Sequence, residues 1–168
     1  MKGILLTILT LLLPLSLAAK PTDKATASLA DSLAVVDKAL AAYQQPAEND
    51  VHYVELLYRK TCMLNEMGHF ADALPVAIQL LDIATPDLVG EDGMAVLLSQ
   101  AAELSFFCRK LPQAIAYEVR ALHIIAELYG EESDEYLEEA PYLQKYFEEN
   151  GQHDKAQQLA RKLEKLLK

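Results

Sequence analysis

Basic side chains are scarce in this chain: 15 lysines and arginines stand against 25 aspartates and glutamates, for a net charge of -10. So acidic a surface repels phosphates rather than releasing counterions from them, which excludes nucleic acid as a partner. It favours basic or apolar partners over acidic ones. Cysteine occurs only at Cys62 and Cys108, too few for a disulfide scaffold or a zinc site of the usual spacing. Both lie in apolar helical surroundings at different repeat positions, so they read as small core residues rather than as a disulfide pair.

The pattern elements of catalysis are missing as well. His52, His69, His123 and His153 are scattered, with no H-E-x-x-H or Cys/His spacing. No glycine-rich loop follows a strand, because no stretch alternates as a strand does. Glu131, Glu132, Asp134, Glu135, Glu138 and Glu139 are dense enough to suggest calcium. They lack the alternating ligands and turn glycine of an EF-hand loop, and read instead as a solvated helix start favoured by the helix dipole. The expectation is a protein that is not an enzyme, with no catalytic residues, cofactor or metal.

One long apolar run is present. Lys2 precedes Ile4 to Leu17, and Ser16 and Ala18 occupy small-residue positions, which is the arrangement of a cleaved signal peptide over residues 1–18. Pro14 interrupts the run, and it is shorter than the roughly 18 to 20 residues a spanning helix needs. Export to the periplasm or the exterior, without stable membrane insertion, is therefore expected. Cleavage that removes Lys2 leaves 14 basic against 25 acidic residues, a net charge of -11.

The remaining 150 or so residues suffice for one domain, 19–168. Its organising stretch is Gly68-His69-Phe70-Ala71-Asp72-Ala73, which returns in degraded form as Arg109-Lys110-Leu111-Pro112-Gln113-Ala114 and Gly151-Gln152-His153-Asp154-Lys155-Ala156. Self-similarity at a near-constant interval marks a stacked-repeat protein. Apolar residues at helical spacing flank each copy: Val54, Leu57, Thr61 and Leu64 before the first, and Ala73, Ala77, Leu80 and Leu81 within it. The second unit has Leu98, Ala101 and Ala102, then Ala114, Ala121, Leu122 and Ile125. The expected units are a partial one at 23–44, capped by Thr22, and full helix hairpins at 51–84, 94–128 and 134–167. Gly90-Glu91-Asp92-Gly93 reads as loop, Ser133 as an N-cap, and Pro141 as a bend or the true start of its helix.

Gly68, Phe70 and Ala73 resemble the turn of tetratricopeptide (TPR) repeats, where a Gly, an aromatic and an Ala join two helices. Gly151 and Ala156 match with His153 in the aromatic place; Leu111 and Ala114 match with Arg109 replacing Gly. The interval exceeds the roughly 34 residues usual for that family and matches its longer kinesin light chain-like variant; HEAT and armadillo units have that length without the Gly, aromatic, Ala step. The resemblance implies an all-α fold, a right-handed superhelical array of about seven helices in antiparallel hairpins. It also implies an adaptor or scaffold whose concave groove holds a protein or peptide partner. By the repeat register the groove presents Tyr58, Arg59, Cys62 and Asn65, then Ser99, Gln100, Glu103 and Phe106, then Tyr142, Lys145 and Glu149. The family's carboxylate clamp is not reproduced, because Cys62, Glu103 and Lys145 hold the equivalent inner positions. A self-assembling envelope module and a sensory or regulatory ligand-binding module are the alternatives, with the oligomeric state open.

Overall fold

Apolar side chains three and four residues apart dictate helices, and helices are the only regular elements among the described residues. The computed structural model describes residues 23–43 and 50–167, with side chains from residue 27 onward in the first segment. The expected signal peptide and the Thr22 cap lie outside these residues. Eight helices occur in the described chain: α1 (Asp23–Ala41), α2 (Val51–Glu66), α3 (Phe70–Ile83), α4 (Pro86–Val89), α5 (Glu91–Phe107), α6 (Leu111–Tyr129), α7 (Asp134–Glu149) and α8 (His153–Leu166). No strand is present among the described residues.

One of these was not expected. The Gly90–Gly93 stretch is not a loop: α4 is a single turn opened by Pro86, and α5 starts at Glu91. Glu91 and Asp92 lie in its first turn, where negative charge meets the positive end of the helix dipole. Gly93 is buried inside the helix because α4 crosses close by. A β-carbon there would stand 3.1 Å from Val89 Cβ.

The three hairpin turns share one hydrogen-bond pattern. At the first, His69 N donates to Leu64 O at 2.8 Å and Gly68 N to Asn65 O at 2.9 Å. The second has Lys110 N to Ser105 O at 2.8 Å and Arg109 N to Phe106 O at 2.9 Å; the third has Gln152 N to Phe147 O at 2.8 Å and Gly151 N to Glu148 O at 3.0 Å. This is the Schellman closure, which needs a left-handed residue after the helix. Gly68 (φ 75°) and Gly151 (φ 73°) supply it, and Arg109 is driven into the same region at φ 60°. The degraded copy therefore keeps the turn at the expense of backbone strain.

Two predicted helix starts are set by side chains. Ser133 Oγ accepts from Tyr136 N at 3.2 Å, as expected, and Asp50 Oδ1, just before the unit expected from residue 51, accepts from Tyr53 N at 3.0 Å. Pro141 does not begin a helix; α7 runs through it.

Packing follows chain order. α1 rests on α2, α2 pairs with α3, α3 packs on α5, α5 pairs with α6, α6 packs on α7, and α7 pairs with α8. The core is correspondingly a continuous seam rather than a single centre. Val54, Leu57, Leu80, Met94 and Leu97 form one stretch, and Leu122, Ile125, Tyr136, Leu143, Phe147 and Leu163 another. Leu74, Leu80, Leu98 and Leu104 are fully buried, and truncating such a leucine to alanine costs roughly 2–5 kcal/mol. Small residues, Ala73, Ala101, Ala102, Ala114, Ala121 and Ala140, are fully buried where the helices approach. Cys62 and Cys108 are half-buried, and neither forms a disulfide.

Candidate functional site

The first helix of each hairpin, α2, α5 and α7, carries every residue expected to face the groove, and the fold joins most of them across unit boundaries. Asn65 Nδ2 on α2 donates to Glu103 Oε2 on α5 at 3.2 Å. One turn away, Gln100 Nε2 contacts Cys62 Sγ at 3.4 Å. Tyr58 lies beside Cys62, and its hydroxyl is buried without a partner. Burial, then the neighbouring Cys62, pushes its phenol pKa up. Burial likewise raises the Cys62 thiol, against the Gln100 amide and the nearby Tyr58 hydroxyl, which favour the thiolate.

Between α5 and α7 the contacts are aromatic and ionic. Phe106 stacks on Tyr146 with centroids 4.9 Å apart, and Lys145 Nζ stands 4.6 Å from the Phe106 centroid. Phe106 therefore lies between core and surface: one partner is the buried Tyr146, the other an exposed cation. Tyr142 is 45% exposed on the same helix. Glu149 lies at the turn edge instead, 3.6 Å from Arg109, in an exposed pair worth little in stability. Arg59 is exposed and Ser99 half-buried, each apart from these contacts.

Two carboxyls were not singled out as groove residues. Glu118 on α6 is 1% exposed and its Oε1 has no partner. It faces Glu139 of α7, within hydrogen-bonding reach, and Glu103 of α5. Glu139 was read as part of a solvated run; it is half-buried and turned inward, unlike exposed Glu131, Glu132, Asp134, Glu135 and Glu138. The signal for Glu118 was available, since it continues the inward spacing Ala114, Ala121, Leu122 and Ile125. Burial, then Glu139 and Glu103, holds the Glu118 carboxyl well above the usual carboxylate range. Glu103 is also raised by burial, against the opposing pull of Asn65 and Lys145. The Tyr142 phenol is raised by burial and then by Glu139, Glu103 and Glu118.

Among the described residues no group of three His, Cys, Asp or Glu is arranged to hold a metal ion, and no helix is long and apolar enough to cross a membrane. Along α2, α5 and α7 the side chains offer hydrogen-bond acceptors, aromatic faces and carboxyl groups.

Solved structures share this architecture. The TPR-like repeats of a kinesin light chain candidate from Podosopora anserina superpose with a TM-score of 0.67 at 13% identity, over 86% of this chain and 69% of that one. A substituted form of the same protein gives 0.66 over 85% and 68%, again at 13% identity. BtubC (BKLC) from P. vanneervenii gives 0.53 at 21% identity, over 87% of this chain and 57% of that one. The fold is a TPR-like helical repeat solenoid. No family model matches the chain, and no curated protein does. At these identities the likeness speaks for the fold alone.

Proposed function

We propose that the chain is an exported, non-catalytic adaptor that holds a basic or apolar protein segment along α2, α5 and α7. The observation that carries this reading is the continuity of the row. Asn65 with Glu103, and Gln100 with Cys62, tie adjacent units into one surface, while Arg59, Tyr142 and Lys145 remain exposed along it. Exposed aromatics and arginines anchor interfaces with most of the energy per residue.

A photo-crosslinking residue at Arg59 or Tyr142 is expected to capture a partner in the source cell's envelope fraction, whereas one at exposed Val119 of α6 captures none. Equal capture from all three positions would count against the concave surface. The N-terminus of the native protein tests export: it is expected at Ala19 or Lys20, and a chain retaining Met1 in the cytoplasm removes that part of the reading.

Self-assembly is the second reading, favoured by Val35 of α1, 70% exposed, and Leu167 after α8, 72% exposed. Light scattering that stays monomeric at high concentration argues against it.

A further inference from the structure

Glu103, Glu118 and Glu139 come from α5, α6 and α7 respectively, so the fold itself gathers them. A solvated charge run lies along one helix; these three converge from two hairpins. Glu118 is the anomaly: nine-tenths of its surface and more is hidden, its Oε1 meets no donor, and it faces two further carboxyls. A neighbouring acceptor is in the same position. Gln100 spends its amide N–H on Cys62, leaving a buried Oε1 with no partner. Buried polar atoms of this kind are uncommon and call for a donor.

Lys145 is the cation that acts on Glu103, yet its ammonium stands over the Phe106 ring and is exposed. Tyr142 gives the cluster an aromatic wall open to solvent. The carboxyls are not arranged to enclose a metal ion. Missing donors, excess negative charge and an aromatic wall define what fits: a flat or extended organic cation.

We propose that Glu103, Glu118 and Glu139 form the acceptor for one cationic side chain of the docked segment, an arginine guanidinium above all. The proposal rests on the concave surface being the docking face. Glu103 and Glu139, half-buried, meet the guest, and Glu118 supports them from beneath. A guanidinium brings five N–H donors, where the cluster has acceptors in surplus. Groups facing Glu118 are the Glu103 and Glu139 carboxyls and the Tyr142 and Tyr146 phenols, with Lys145 beside Glu103. Because burial favours the proton on Glu118, a cationic guest displaces it, and affinity rises with pH above the usual carboxylate range.

Calorimetric titration of the signal-free chain with acetyl-Gly-Ser-Arg-Ser-Gly-amide tests this, beside the same peptide carrying neutral citrulline for arginine. The arginine peptide is expected to bind about tenfold tighter, and Glu103→Gln with Glu139→Gln to lose about tenfold. Glu132→Gln with Glu135→Gln removes equal charge from an exposed stretch and changes affinity by less than about twofold. Equal losses in the two double variants overturn the proposal, as does no binding by the arginine peptide. Amide shifts locate the contact. Equal binding of both peptides with shifts on α5 and α7 overturns the cationic anchor while the docking surface stands; shifts confined to Val119 and Arg120 of α6 overturn both. Circular dichroism confirms that each variant is folded.

Discussion

Glu118 shows what a single side chain reveals about its surroundings. In the unfolded chain its carboxyl titrates near about 4.3, while in the fold burial lifts it well above that. Between the two values the folded chain keeps a proton that the unfolded chain has given up, so stability falls as pH rises through that window. Glu118→Gln abolishes the slope and retains a donor toward Glu139. The variant is expected to be more stable than the parent at pH 7, by roughly 1–3 kcal/mol, which is the scale of a buried polar group left without its partner. Near pH 4 the advantage disappears, since both forms are then uncharged. Urea midpoints from pH 4 to 8 decide it, and parallel profiles would place the Glu118 carboxyl in water. The residue escaped the sequence reading because a lone charge at an inward position of a mostly apolar helix looks like a register slip. Only its two carboxyl neighbours, 15 and 21 residues away in sequence on other helices, make it a cluster.

At the scale of the element, the helix hairpin was the legible part. Spacing of apolar residues located seven of the eight helices, because each must bury one stripe against its neighbours. The eighth, Pro86–Val89, was hidden by Gly90 and Gly93, which are strong breakers on local grounds. Gly93 is helical nonetheless, and Val89, four residues earlier, leaves little room there for a β-carbon. The turns were legible through glycine and for the same reason legible through its loss at Arg109. A left-handed arginine costs roughly 1–2 kcal/mol that glycine does not. Arg109→Gly is therefore expected to raise stability by about 1 kcal/mol in chemical denaturation, less the small loss of an exposed pair with Glu149. Gly68→Ala, with nothing within 4 Å of the added β-carbon, should lower stability by about 1 kcal/mol through backbone strain alone. Opposite signs at equivalent turns are the test; equal signs would mean the turns are not equivalent.

Across the molecule, each long helix packs on the next long helix in chain order, and the core is a seam. Such arrays lose stability by steps, since each unit rests on the next. Removing residues 131–168 uncovers Ala102, Ala114 and the Phe106 face that Tyr146 covers. The shortened chain is expected to unfold at lower urea with a smaller m-value and to associate at concentrations where the parent does not. An unchanged midpoint would mean that the third hairpin is an independent attachment. The candidate groove residues were assigned by register alone. The surroundings of Phe106, between core and surface, and of Glu149, at the turn edge, depend on neighbours from other units.

The antiparallel pairing has an electrical consequence. At each Schellman turn the carbonyl end of α2, α5 or α7 lies beside the amide end of α3, α6 or α8. The paired macrodipoles oppose one another and largely cancel along the array. The backbone therefore contributes little field along α2, α5 and α7, and the potential there is written almost entirely by side chains. On the proposed docking face Glu103 and Glu139 outweigh Lys145, and exchanging both for lysine would reverse the charge of the guest proposed for it.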